Sequence, residues 1–73
     1  MPEFHNTLKD TLDRFGLTQT ELSFEAKVAI GTINKTCNLR YNPAPRTRNR
    51  LLIALNALTG ENLSIEEIFP EKG

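Results

Sequence analysis

The chain has 73 residues, nine Lys and Arg against nine Asp and Glu, and a formal net charge of zero, which is room for one domain (1–73) with a small core. A single cysteine, Cys37, excludes an intramolecular disulfide, and with only His5 beside it no structural metal and no cofactor are expected. No apolar run approaches the roughly 18 residues that span a bilayer, and the Met1–His5 start lacks the basic and apolar regions of a signal peptide, so the expectation is no membrane and a cytoplasmic, nucleoid-associated setting.

Five short helices and no strands are predicted. Phe4, Leu8, Leu12 and Phe15 recur at helical spacing and stop at Gly16, a residue suited to the left-handed turn that ends helices. Thr18 followed three residues later by Glu21 is a capping box, and the helix it opens turns Leu22 and Ala26 inward. A third helix is predicted from Ala29 to about Cys37 with Ile33 as its inward anchor. Asn38 to Pro45 is predicted as a loop, because Asn42-Pro43-Ala44-Pro45 cannot continue a helix. Tyr41 is expected to lie over the core from that loop. Leu51, Leu55 and Leu58 mark the inner face of a fourth helix ending at Thr59-Gly60. Ser64 with Glu67 forms a second capping box, opening a brief helix with Ile65, Ile68 and Phe69 as its apolar face. Residues 1–3 and 70–73 are expected to be frayed tails.

The charges are sorted along the chain. Residues 26–60 carry Lys27, Lys35, Arg40, Arg46, Arg48 and Arg50 and no carboxylate, a sum of +6, while residues 1–25 and 61–73 each sum to −3. A concentrated positive stretch is the electrostatic footprint of a phosphate-backbone binder, although blocks of like charge also occur on ordinary solvated faces. Catalysis is not expected: there is no Ser/His/Asp set, no Gly-rich phosphate loop and no cluster of metal-ligating residues.

Two short helices over residues 18–37, joined by a tight turn, have the pattern of a helix-turn-helix, in which the first helix crosses the phosphate backbone and the second enters the major groove. Leu17-Thr18-Gln19-x-Glu21-Leu22-Ser23, Val28, Gly31-Thr32-Ile33-Asn34, the Arg40–Thr47 segment and Ser64-x-Glu66-Glu67-Ile68-Phe69 resemble, in order and spacing, the Cro/phage-repressor family of XRE-type regulators. The resemblance covers about residues 6–69. It implies an all-α, lambda-repressor-like five-helix bundle that binds a double-stranded DNA operator as a small transcriptional regulator, usually a repressor. Two positions depart from the family pattern, with Lys27 and Leu39 standing where Gly is usual, and Lys27 would hold a left-handed conformation at a cost of about 1 kcal/mol.

Carried over by position, the resemblance assigns base contacts to Ile30, Gly31, Thr32, Asn34 and Lys35. Asn34 suits an adenine edge and Ile30 a thymine methyl; packing of Ile30 against a neighbouring helix is the competing reading. Phosphate contacts fall to Gln19, Asn38, Arg40, Arg46 and Arg48. Arg48 and Arg50 are about 200° apart on a helix, and Arg48 is the one expected to face DNA. Cys37 is expected to be a half-buried apolar residue with no redox role. One recognition helix covers too few base pairs to single out a site, so two copies are expected to pair, as a weak homodimer through Ile65, Ile68 and Phe69 or as a dimer formed on DNA. The alternative functions are an antitoxin or a protein-interaction adaptor built on the same fold.

Overall fold

Five helices form where the apolar stripes place them: α1 (Leu8–Phe15), α2 (Gln19–Ala26), α3 (Ile30–Cys37), α4 (Pro45–Thr59) and α5 (Ile65–Ile68). They are seen in a computed structural model that describes residues 5–70, and no strand occurs among those residues. The all-α class and the count of five helices agree with the sequence reading. Phe4 and most of the expected tail residues lie outside the described residues.

The helix ends are local chemistry. At the start of α2 the Glu21 amide donates to Thr18 Oγ1 at 3.0 Å, and the Thr18 amide donates to Glu21 Oε1 at 2.9 Å. At α5 the Ser64 amide donates to Glu67 Oε2 at 3.2 Å, while the Glu67 amide donates to the Ser64 carbonyl. Four helices are followed by a residue in the left-handed region, Gly16, Lys27, Leu39 and Gly60. After Gly16, Lys27 and Leu39 the next amide reaches back to a carbonyl of the last turn: Leu17 to Leu12, Val28 to Ser23, Arg40 to Lys35. The Ser23 hydroxyl adds a 2.7 Å bond to the Val28 carbonyl, which stiffens the turn between α2 and α3.

Three boundaries differ from expectation. The apolar stripe counts from Phe4, yet residues 5–7 are not helical and α1 begins at Leu8. Ala29 is the cap of α3 and the helix proper begins at Ile30. Pro45 is the first residue of α4 and not the last of the loop; its fixed φ suits the first helical position, where its missing N–H has no partner to lose.

The core joins all five helices. Leu8, Leu22, Ile33, Leu51, Leu55 and Ile68 are fully buried, with Leu12, Ala26, Cys37, Ala54 and Phe69 beside them. α2 packs most extensively on α4 and also on α3, α1 leans on α3, and α5 closes on α4. The radius of gyration is 11.1 Å, close to the roughly 11 Å of a compact chain this long.

Three core assignments differ. Phe15 is only half-buried, Leu58 lies at the core's edge, and Tyr41 stays 41% exposed while Pro43, from the same loop, is buried. Pro43, not the phenol ring, is the buried apolar group of this loop. The expected pairing surface is also altered, because Ile68 and Phe69 are buried in the core and only Ile65 of that set remains at the surface. A four-residue helix cannot both seal the core and present its apolar face outward.

Hydrogen bonds between distant segments hold the ends of the bundle. Asn6 Nδ2 donates to the Thr36 carbonyl at 2.9 Å and Asn6 Oδ1 accepts from the Leu8 amide, tying the start of α1 to the end of α3. Thr7 donates through its amide to the Ile68 carbonyl and through its hydroxyl to the Glu67 carbonyl, which docks α5.

Candidate nucleic-acid interface

α3 is anchored by one side and free on the other. Ile33, Thr36 and Cys37 are buried, and the Thr36 hydroxyl is satisfied by the Thr32 carbonyl at 2.7 Å. At about 100° per residue, Gly31, Asn34, Lys35 and Asn38 fall within an arc of roughly 100° on the opposite side, and all four are exposed. Ile30 flanks the arc at 47% exposure. Thr32 lies at the other flank and is half-buried, its carbonyl committed to Thr36.

Gly31 occupies open space: a Cβ built on it would meet nothing within 4 Å. Glycine in a helix costs roughly 0.5–1 kcal/mol relative to alanine, and here no internal contact requires the missing side chain. Ala29 caps α3 without a side-chain hydrogen bond, so the positive end of the helix is left unneutralised.

The fold draws Gln19, Asn34 and Asn38 together. Asn34 Nδ2 donates to Gln19 Oε1 at 3.3 Å, and Asn38 Nδ2 donates to Asn34 Oδ1 at 3.2 Å. The three carboxamides therefore form a continuous exposed chain from the start of α2 to the end of α3. The start of α2 itself is less open to anions than α3, because the Glu21 carboxylate already sits on the Thr18 amide and hydroxyl.

The cations divide into groups. Lys35 and Arg40 belong to α3 and the residues just after it. Arg46 and Arg48 share a hollow of about 500 Å³ at the start of α4 with Pro45, Asn49 and Ile65. Arg48 is half-buried there, and its Nε has no hydrogen-bond partner among the described residues. Arg50 points elsewhere, into a shallow hollow of about 200 Å³ beside Glu25, Ala26 and Lys27. The expected divergence of Arg48 and Arg50 is thus observed. Among the described residues no ion pair to any of the six cations in the basic stretch is seen, whereas Lys9 pairs with Asp13 at 3.9 Å on α1. Guanidinium and ammonium groups left without internal partners are available to an external anion.

Cys37 takes no part in this surface. It is buried at 5% exposure, and burial pushes its thiol up from the ordinary value, with Lys9 opposing and Asp13 adding to the shift. A buried neutral thiol is a poor nucleophile. Among the described residues no group of His, Cys, Asp and Glu could hold a metal ion, and no helix is long and apolar enough to cross a membrane.

Sequence reasoning placed Gln19, Asn34 and Asn38 separately and missed that they touch. Their side chains meet across a separation of 15 residues between Gln19 and Asn34, which no periodicity encodes. Lys27, by contrast, adopts the left-handed conformation expected of it, with φ of 57°, and Leu39 adopts φ of 60°. No protein-family model matches this chain, and no curated protein matches it in sequence.

Proposed function

We propose that this protein is a sequence-specific double-stranded DNA-binding regulator, with α2 and α3 serving as a helix-turn-helix of the lambda-repressor type and α3 as the recognition helix. The observation that carries the reading is the outer side of α3. Gly31, Asn34, Lys35 and Asn38 form an exposed polar arc with no side-chain cap at the helix start, inside a stretch of six cations that has no carboxylate and shows no ion pair among the described residues. An α helix fits the major groove, where a carboxamide can pair two ways with adenine and an ammonium can meet a guanine edge. A glycine with open space on its outer side lets the helix approach the base edges closely. Arg40, Arg46, Arg48 and Lys35 supply the phosphate contacts that set register without carrying sequence information.

Binding a duplex by this route releases counterions, so affinity must fall steeply with salt. The direct experiment is selection of bound duplexes from a random pool, followed by binding isotherms of the selected site over a range of salt. The reading expects a defined motif, arranged as two copies about one DNA turn apart, and a linear loss of log affinity with log salt. A pool that stays random after repeated rounds, together with affinity indifferent to salt, rejects it.

A further inference from the structure

We propose that the hollow between α1, the link from α4 to α5, and α5 is a binding site for a small linear polyamine. The site stands apart from the duplex-binding reading, because no residue of α2 or α3 lines it. Its volume is about 480 Å³, in the range of small-ligand clefts. Asp10 and Thr11 come from α1, Glu61 and Leu63 from the link, and Glu67 and Ile68 from α5. The one cation in the lining is Arg14, whose guanidinium lies over the Phe15 ring at 5.0 Å. Three carboxylates against one guanidinium give the hollow a net charge of −2. No ion pair to any of these four groups is seen among the described residues, whereas Lys9 pairs with Asp13 nearby on α1.

Thr11 is the side chain that points to a ligand. It is only 7% exposed, yet its hydroxyl makes no hydrogen bond among the described residues. The buried threonine of α3 and the half-buried one ending α4 behave differently: Thr36 donates to the Thr32 carbonyl and Thr59 to the Leu55 carbonyl, both at 2.7 Å. Among the described residues, the side-chain atom cut off from both solvent and partners is Arg48 Nε. Thr11 Oγ1, without a partner, therefore still meets solvent, and the hollow is the opening that its side chain lines. A hydroxyl offers two lone pairs and one donor, and leaving such a group unmet inside a protein is costly. An incoming N–H group answers it.

The arrangement of the carboxylates selects the kind of cation. They stand on three separate segments, and no group of His, Cys, Asp and Glu among the described residues could share a metal ion. The fitting ligand therefore has its charges spaced out and not concentrated at a point. A linear polyamine carries ammonium groups separated by short methylene runs. Its ammoniums pair with Asp10 and Glu61 at the rim by charge-assisted hydrogen bonds, and one N–H reaches Thr11 Oγ1. The methylenes rest against Leu63, the half-buried apolar side chain of the lining. Glu67 contributes charge while one of its oxygens stays with the Ser64 amide.

The test titrates spermidine into the isotope-labelled full chain without DNA, at constant ionic strength, and follows the backbone amides by NMR. Saturable shifts are expected at α1, at residues 60–64 and at α5, and magnesium chloride at the same ionic strength should not reproduce them. Thr11→Val keeps the shape and removes the hydroxyl, and should weaken spermidine by about tenfold. Asp10→Asn and Glu61→Gln, both at exposed positions, should each weaken it by about threefold. Glu66→Gln removes a charge from α5 outside the lining and should leave the affinity unchanged. Glu67 is kept, because it caps α5. Thermal melts verify folding, and the two rim variants carry the test if Thr11→Val does not fold. Absence of saturable shifts overturns the proposal. So does a Glu66→Gln loss as large as that of the rim variants, which means diffuse attraction, or a folded Thr11→Val variant with wild-type affinity. Each of these failures leaves the duplex reading standing, since that reading is judged by duplex selection and salt dependence.

Discussion

Lys27 and Leu39 bracket α3 with backbone conformations that a side chain resists, φ of 57° and 60°. The strain of a Cβ in this region is about 1 kcal/mol or somewhat more, so Lys27→Gly should stabilise the fold by about 1 kcal/mol, read as a higher urea midpoint at unchanged slope. Gly31 makes the opposite case. With a helical backbone and nothing within 4 Å of an added Cβ, Gly31→Ala should stabilise the free protein by roughly 0.5–1 kcal/mol and yet weaken binding to the selected duplex. A thermal melt and a binding isotherm on the same sample separate the two effects; improvement of both would show that the glycine is not a point of close approach. Asn34 and Arg40 differ in kind as well. Asn34→Ala should cost about 1–3 kcal/mol on the preferred site and relax one base position, whereas Arg40→Ala should weaken all sequences alike and reduce the salt slope by about one unit. Similar losses of both kinds from both variants would mean that base and backbone contacts have been assigned to the wrong side chains.

At the scale of elements, the apolar stripes and capping residues were sufficient to place five helices. Thr18 and Glu21 close the first box with two bonds of 3.0 and 2.9 Å, and such boxes act within four residues, so they can be read from the chain alone. Pro45 was misplaced because proline ends a helix from inside but favours its first turn, and the four residues around it fit either rule. The link from α4 to α5 was not legible for a different reason. Asn56 Oδ1 accepts from the Leu63 amide at 2.8 Å and Asn56 Nδ2 donates to the Leu63 carbonyl at 3.2 Å, so one side chain takes the place of a strand partner for the loop. Asn56→Ala leaves both Leu63 groups unpaired in a half-buried setting and should cost about 1–3 kcal/mol in chemical denaturation. A loss of only a few tenths would show that water replaces the clamp.

For the whole molecule the zero net charge conceals a strong separation of sign, +6 over residues 26–60 between flanks of −3 each. With about four to six phosphate contacts per subunit, the slope of log affinity against log salt should be roughly −4 to −5. Association between copies is constrained by the core. Ile68 and Phe69 are needed to close it and Ile65 alone of the expected pairing set is left at the surface, far short of the roughly 1,000 Å² of a stable interface. The free protein should therefore sediment as a monomer at micromolar concentration and as two copies only with a duplex carrying both half-sites. A tight dimer without DNA would show that another surface, such as that around the 81% exposed Phe24, does the pairing.

The amino-acid order by itself determined what depends on neighbours within a turn or two: helix phase, the cap at Thr18, the left-handed end at Gly16, and the sorting of charge. These are short-range consequences of backbone sterics and hydrogen bonding, and they hold whatever the rest of the chain does. Only the tertiary structure decided which side chains meet. That α5 spends Ile68 and Phe69 on the core, that Asn56 holds Leu63, and that Gln19, Asn34 and Asn38 join into one chain of amides all follow from how five helices share a small interior. Packing is a property of the whole set of surfaces, and no single segment carries it.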